Sequence, residues 1–330
     1  MHTITKRARL QYRFKRLVRD TGWQFGGDTF LRKKSAGARM LVYHGICQSD
    51  PLQFNTLFIT REKFEAQLRL YKKYFTLISL DDFYNHRFNE ERFNLCLSFD
   101  DGFANNHKYV LPLLEQYQVP ATFFITGIRD AGYDVLWNDV LAILKRHGPA
   151  GFRFWDDKFY RGRNGHYISA TSGYHLGDML RRTDWKKKKE FTGSFKYLTG
   201  KVDVDYWLQM TGEQIREMSR SRWVTIGSHG YFHNDFAYLP AELAEEEMRK
   251  SKTYLESFTG SSVNAIAFPY GSYAREFISL AKKAGYSQVL ATGFLYPDDQ
   301  NDSVLRERLT INPFISNINQ MHANIAGCYK

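Results

Sequence analysis

From Met40 onward, short apolar runs closed by turn residues alternate with longer stretches whose apolar positions recur three and four apart. The first pattern predicts buried strands and the second amphipathic helices. Strands are predicted at 40–43, 75–80, 95–99, 120–125, 223–227, 263–268, 288–291 and 309–311. Between them, Thr60 caps a helix with Phe64, Leu68 and Tyr71 on one face. Val110, Leu111, Leu114 and Tyr117 suit another, with Pro112 demanding a kink or a late start. Further helices run from Thr211, over 241–258, through Phe277, Leu280 and Ala281 to a stop at Gly285, and along a last amphipathic segment to Ala326.

The rhythm breaks between 128 and 210, where the text turns polar, aromatic and basic, with one clear helix at 137–147 and a lysine run at 186–189. A loop of that length without structure of its own is unusual, so the segment reads as an insertion folded into a cap, its lysines a solvated face. Seven or eight strands alternating with helices predict a parallel α/β architecture, most simply a (β/α) barrel over 40–330 with the insertion after its fourth strand. The rival open, doubly wound sheet lacks its glycine-rich phosphate loop after the first strand.

Length and composition alter this little: 330 residues at 43% hydrophobic suffice for a full barrel core. Charge alters it more. Of the net +11, +9 belongs to residues 1–39, and the remainder is close to neutral. That distribution excludes a nucleic-acid face spread over the folded body. The basic leader patterns as a helix over 4–19, with Leu10, Phe14, Leu17 and Val18 on one face among arginines and lysines, followed by a linker containing Gly26, Gly27 and Arg32-Lys33-Lys34. Such a helix either lies on an anionic membrane surface or packs on the main domain. Three scattered cysteines make no disulfide scaffold and fit a reducing compartment. No run approaches the roughly 18 apolar residues of a membrane span, and no secretory signal is read, so a cytoplasmic enzyme, peripheral at the inner membrane face, is expected.

Chemistry gathers where strands end. Ser98-Phe99-Asp100-Asp101-Gly102 drives two carboxylates out of an apolar strand, a costly placement that a cation holding one of them relieves, leaving the other as a base. Ser228-His229-Gly230-Tyr231-Phe232-His233 brings two imidazoles out of another strand, and the absence of Glu after His229 excludes the metalloprotease helix. Asp101, His229 and His233 would make a three-ligand site with open positions. Ala267-Phe268-Pro269-Tyr270-Gly271 is a third strand exit, whose backbone amide at Tyr270 is a possible oxyanion donor. His44, after the first strand, stands at the same face.

These three blocks, in this order, resemble the polysaccharide deacetylase family (the NodB homology domain, carbohydrate esterase family 4), with Ala-Phe-Pro-Tyr-Gly closest to its poly-N-acetylglucosamine deacetylase branch. The resemblance also takes in Leu41-Val42-Tyr43-His44-Gly45 and Ala121-Thr122-Phe123-Phe124 and spans 40–311 outside the insertion. It implies a distorted (β/α) barrel that removes N-acetyl groups from an amino sugar in a polysaccharide, glycolipid or sugar intermediate, using one divalent metal, zinc. By that resemblance Asp101, His229 and His233 hold the metal, Asp100 takes the proton of the attacking water, and the Tyr270 amide receives the oxyanion, with Phe268 and Pro269 lining the site. Three departures stand out, the first being Gly230, which stands where the family usually has Ser or Thr after its first motif histidine. The arginine that opens the family's third motif and braces the base is replaced by Ile266-Ala267, and its late acidic histidine has only His44 and, in a terminal helix, His322 to stand for it. Another metal-assisted hydrolase (an O-deacetylase or a sugar deformylase) or a non-catalytic glycan-binding relative remains the alternative. Trp137, Trp155, Tyr160, Tyr167 and Trp185 of the insertion either stack on sugar rings or build the cap's own core.

Overall fold

Each predicted apolar run becomes a strand of one parallel sheet. The computed structural model describes residues 6–24, 36–53 and 55–329. The barrel strands are β1 (Ala38–Tyr43), β2 (Thr76–Ile78), β3 (Asn94–Phe99), β4 (Ala121–Ile125), β5 (Val224–Ser228), β6 (Ala265–Ala267), β7 (Gln288–Ala291), β8 (Leu305–Glu307) and β9 (Leu309–Thr310). Their spatial order is β8-β7-β6-β5-β4-β3-β1-β9. Strand β3 pairs β1 along its whole length, while its other edge pairs β2 through residues 94–96 and β4 through 97–99.

The sheet returns on itself through the extended segment 305–310. Its first half pairs β7 and its second half pairs β1, with Arg308 at the break. This is the distorted, nearly closed (β/α) barrel expected. The apolar pattern did not reveal β8, because Arg306, Glu307 and Arg308 interrupt it. Residues on β1, β3 and β4 are buried on both faces: Leu41, Leu95, Leu97, Phe99 and Phe123 pack outward against the helix residues Phe64, Leu68 and Tyr71, and the alternate positions Met40, Cys96 and Phe124 pack with Ala265, Ala267 and Leu290.

Local chemistry sets the helix starts. The Thr60 side chain accepts from the Lys63 amide and opens Arg61–Tyr74, and Thr211 with Gln214 closes a capping box on Gly212–Ser219. Pro112 acts as the late start anticipated. A π-helical turn, Asn106–Val110, precedes Leu111–Tyr117, where proline needs no hydrogen-bond partner for its missing N–H.

The segment 128–210 carries helices Trp137–His147, Leu176–Arg181 and Trp185–Phe195 and a three-stranded antiparallel sheet of Gly151–Phe154, Asp157–Arg161 and Tyr167–Ser169. Trp137, Phe159, Tyr167, Phe191 and Phe195 build the segment's own core with Phe58 and Phe103 of the barrel loops, whereas Tyr160 is exposed and Trp185 stacks on Phe232. The lysine run is a correction. Lys186, Lys187 and Lys189 are exposed, but Lys188 is buried and donates to Asn234 Oδ1 at 2.6 Å.

The leader forms the helix Lys6–Gln24; the linker residues Gly26, Gly27 and Arg32-Lys33-Lys34 lie outside the described residues. Among the described residues no helix is long and apolar enough to cross a membrane.

Candidate metal centre at the strand ends

The barrel's hydrogen-bond ladder runs one residue past each strand before the chain turns. The Asp100 amide donates to Tyr43 O, the His229 amide to Ile125 O and the Phe268 amide to Leu290 O. Asp101, His229 and the Phe268–Gly271 turn therefore leave the sheet at one face, although up to 170 positions of sequence separate them. The turns are sharp. Asp101 (φ 75°) and Gly102 (φ 78°) are both left-handed, as are His233 (φ 55°) and Tyr270 (φ 62°). A left-handed side-chain-bearing residue costs of order 1–3 kcal/mol, and such strain collects where function requires a fixed direction. Gly230 is also left-handed (φ 73°), and a Cβ there would press on Glu247 Oε1 and Phe236. That accounts for glycine directly after His229.

Asp101, His229 and His233 each offer one ligand atom, all within 4.8 Å of one another, and all three residues are buried. Asp101 Oδ1 lies 3.4 Å from His229 Nε2 and 3.1 Å from His233 Nε2. Both rings are held from behind. His229 Nδ1 is 2.8 Å from the Ala267 carbonyl and His233 Nδ1 is 3.3 Å from the Tyr270 hydroxyl. With Nδ1–H donated to Ala267 O, the His229 Nε2 lone pair points at the shared centre, the arrangement by which metal-binding histidines are oriented. Two imidazole nitrogens and one carboxylate oxygen fit a divalent ion of the zinc type.

The second carboxylate is held apart. Arg308 grips Asp100 with both nitrogens, Nη1 to Oδ1 at 2.7 Å and Nη2 to Oδ2 at 2.8 Å, and Nη1 also reaches Ser98 Oγ at 3.2 Å. With Ile266-Ala267 lacking the arginine that the resemblance leads one to expect, an arginine reaches Asp100 from the seam between β8 and β9. Burial alone would raise the Asp100 carboxyl; Arg308, then His229, override it and hold it below the ordinary carboxylate range. Asp101 is likewise raised by burial and brought well below its usual value by hydrogen bonds to His229 and His233. For His229, burial lowers the imidazole but Asp100 and Asp101 outweigh it, whereas burial prevails at His233.

The cap fastens the second ligand's loop. Trp137 Nε1 donates to His233 O at 3.3 Å, Lys188 to Asn234 and Arg181 Nε to Asp235 Oδ2 at 2.5 Å. From beneath, Glu247 accepts from the amides of Tyr231 (3.1 Å) and Phe232 (2.9 Å) and from Asn234 Nδ2 (2.8 Å). Asp139, on the same cap helix as Trp137, is buried, and its Oδ2 has no hydrogen-bond partner. Burial, then the charge of Asp101, push its carboxyl well above the usual range. Arg308, Lys188, Glu247 and Asp139 were not singled out from sequence; no local pattern marks them.

The other expected site residues divide. His44, half-buried at the end of β1, interacts electrostatically with both Asp100 and Asp101. His322 is not brought to the centre. It lies on the helix Asn317–Ala326, which packs against the leader helix, where burial, then Arg19, depress it to about 4. Phe268 is fully buried in the apolar layer between sheet and helices, its ring against Phe236 and Tyr273. Pro269 is buried and packs at the Gly230 turn. The Tyr270 side chain reaches the centre, its hydroxyl 3.3 Å from His233 Nδ1, and Arg181 sits over its ring 4.7 Å from the centroid.

The family model described as polysaccharide deacetylase matches residues 89–289, more than half of the chain. A Bacillus subtilis (strain 168) protein, YxkH, named provisionally as a polysaccharide deacetylase, is 20% identical over 79% of this chain, which spans 66% of that protein. Among solved structures, the Streptococcus pyogenes deacetylase PplD, in complex with acetate, superposes with a TM-score of 0.56 at 17% identity, covering 87% of this chain and 97% of its own. IcaB from Ammonifex degensii does so at 0.55 and 17%, covering 89% and 99%. At such identities the structural likeness speaks for the fold.

Proposed function

Since the chain belongs to the polysaccharide deacetylase family, we propose that it hydrolyses the N-acetyl group of an amino sugar within a glycan or glycolipid, using one divalent metal held by Asp101, His229 and His233. The observation that supports this reading is the unlike surroundings of two adjacent carboxylates: Asp101 and two imidazoles bring ligand atoms within 4.8 Å of one another, while Asp100 is clasped by Arg308. A cation there supplies Lewis acidity toward the acetamide carbonyl and toward water.

The chain's own groups do the rest. Asp100, kept ionised by Arg308, receives the proton of the attacking water. The Tyr270 amide, fixed by its left-handed turn, is the donor for the oxyanion that develops on the acetyl carbonyl oxygen as water adds to the carbon. His44, near both carboxylates, is the group that returns a proton to the departing amine. Trp137 and the cap roof the centre and keep bulk water from it.

The test is metal analysis beside acetate and amine release from N-acetylglucosamine oligomers. Wild type should hold one equivalent of divalent ion, Asp101→Asn and His229→Ala should lose it, and Asp100→Asn should keep it while losing about 10²–10⁴ of the rate. Acetate released without a new amine would instead establish an O-deacetylase. A wild type free of both metal and turnover would leave a glycan-binding relative.

A further inference from the structure

The leader helix Lys6–Gln24 has two unlike faces. One is pinned to the barrel. Arg16 Nη2 donates to Phe314 O at 2.9 Å, and Asn319 Nδ2 donates to Arg16 O at 3.2 Å and to Asp20 Oδ1 at 2.8 Å. Ser316 Oγ also reaches Asp20 Oδ1 at 2.5 Å, and Trp23 packs edge-on against Tyr74 with ring centroids 5.5 Å apart. Tyr12, Arg16, Arg19, Asp20 and Trp23 are accordingly all part-buried.

The other face is apolar and open. Phe14 is 66% exposed, Leu17 60% and Val18 50%. At 3.6 residues per turn these three fall within an arc of about 100°, opposite Trp23 and Arg16. The same rotation places Arg13 and Lys15, both exposed, one on each flank of the arc. An apolar ridge edged by long cations is the geometry of a helix lying in a membrane interface: the apolar residues enter the acyl boundary while the basic heads reach outward to anionic phosphates.

We propose that this face docks the enzyme on an anionic phospholipid surface. The charge of the segment selects this occupant. Residues 1–39 carry +9 of the chain's +11, which attracts anionic lipid and opposes the approach of a second copy of the same helix. Because the opposite face is hydrogen-bonded to the barrel, docking would hold the whole catalytic body at the surface instead of tethering it through a flexible arm. The inference is independent of the chemistry assigned to the metal centre.

The experiment is flotation of the full chain with phosphatidylcholine vesicles, with and without phosphatidylglycerol, against the triple variant Phe14→Ser, Leu17→Ser, Val18→Ser and the charge variant Arg13→Glu, Lys15→Glu. Wild type should bind the anionic vesicles, less as salt rises, and zwitterionic vesicles little. The triple variant should bind about a hundredfold more weakly, with its melting temperature and its acetate release from a soluble oligosaccharide unchanged. Equal binding by wild type and triple variant would overturn the proposal, as would equal binding to both vesicle types. So would a concentration-dependent dimer that the triple substitution abolishes while vesicles go unbound; the face would then be a contact between copies. Loss of soluble-substrate turnover in wild type would fault the deacetylase reading alone.

Discussion

Arg308→Met isolates the charge pair on which the proposed base depends. Both side chains are nearly sealed from solvent, 0% exposed for Arg308 and 5% for Asp100. The substitution keeps apolar bulk over the Phe124 ring, which the guanidinium covers at 5.1 Å, but leaves a buried carboxylate with no cation of its own. Removing one partner of a buried pair costs about 3–5 kcal/mol. With an unfolding entropy of roughly 2.1 cal/mol/K per residue over the whole chain, that is a fall of about 4–7 °C in melting temperature.

The sign of the pH effect follows from the depressed wild-type carboxyl. Its stabilisation is fully present above the unfolded carboxylate value and is lost only as pH falls through the lower, folded one. In the variant burial acts unopposed by Arg308 and the carboxyl rises. The deficit should therefore be greatest at neutral pH and shrink in acid, while the acidic limb of kcat/KM moves to higher pH. Arg308→Lys restores a charge but not the two-pronged grip, and should recover part of each loss. Asp100→Leu combined with Arg308→Met removes both charges and should regain most of the stability while remaining inactive. If Arg308→Met melts with wild type and its acidic limb stays in place, the claim that Arg308 sets the charge of Asp100 is wrong.

Two other perturbations bear on the loops around the centre. Burial draws the Lys188 ammonium from 10.5 down to about 8, so between those values the unfolded chain holds the extra proton and this site's contribution to stability rises with pH, by about 3 kcal/mol in all. Denaturant titrations at mildly and strongly alkaline pH should show that rise in wild type but not in Lys188→Met; parallel slopes would refute it. Gly271 is left-handed (φ 63°), and a Cβ there would overlap the Thr292 hydroxyl and backbone nitrogen. Gly271→Ala should therefore displace the Tyr270 turn, lowering kcat by tenfold or more on the scale of a lost oxyanion donor, with metal content preserved. A variant of wild-type kcat would remove Tyr270 from the mechanism.

The apolar rhythm of the chain foretold most barrel strands and the helix 137–147, because burial of a strand or a helix face is written into neighbouring residues. The Asp101–His229–His233 group was legible for the same reason: a strand's last residue has a predictable direction, and the parallel sheet aims all such ends at one face. Arg308 was not legible. It meets Asp100 across 208 positions of sequence, from a seam where one segment changes pairing partner, and no local period encodes where a sheet closes. Lys188 reads as one more solvated lysine until the cap folds over Asn234, and His322 reads as available until its helix packs against the leader. Sequence alone thus determined which side chains leave the strand ends, since that depends on local hydrophobic order. Tertiary structure decided which charges are paired, sealed or exposed, because desolvation and Coulomb energies depend on distances that only the closed barrel and its cap bring into being.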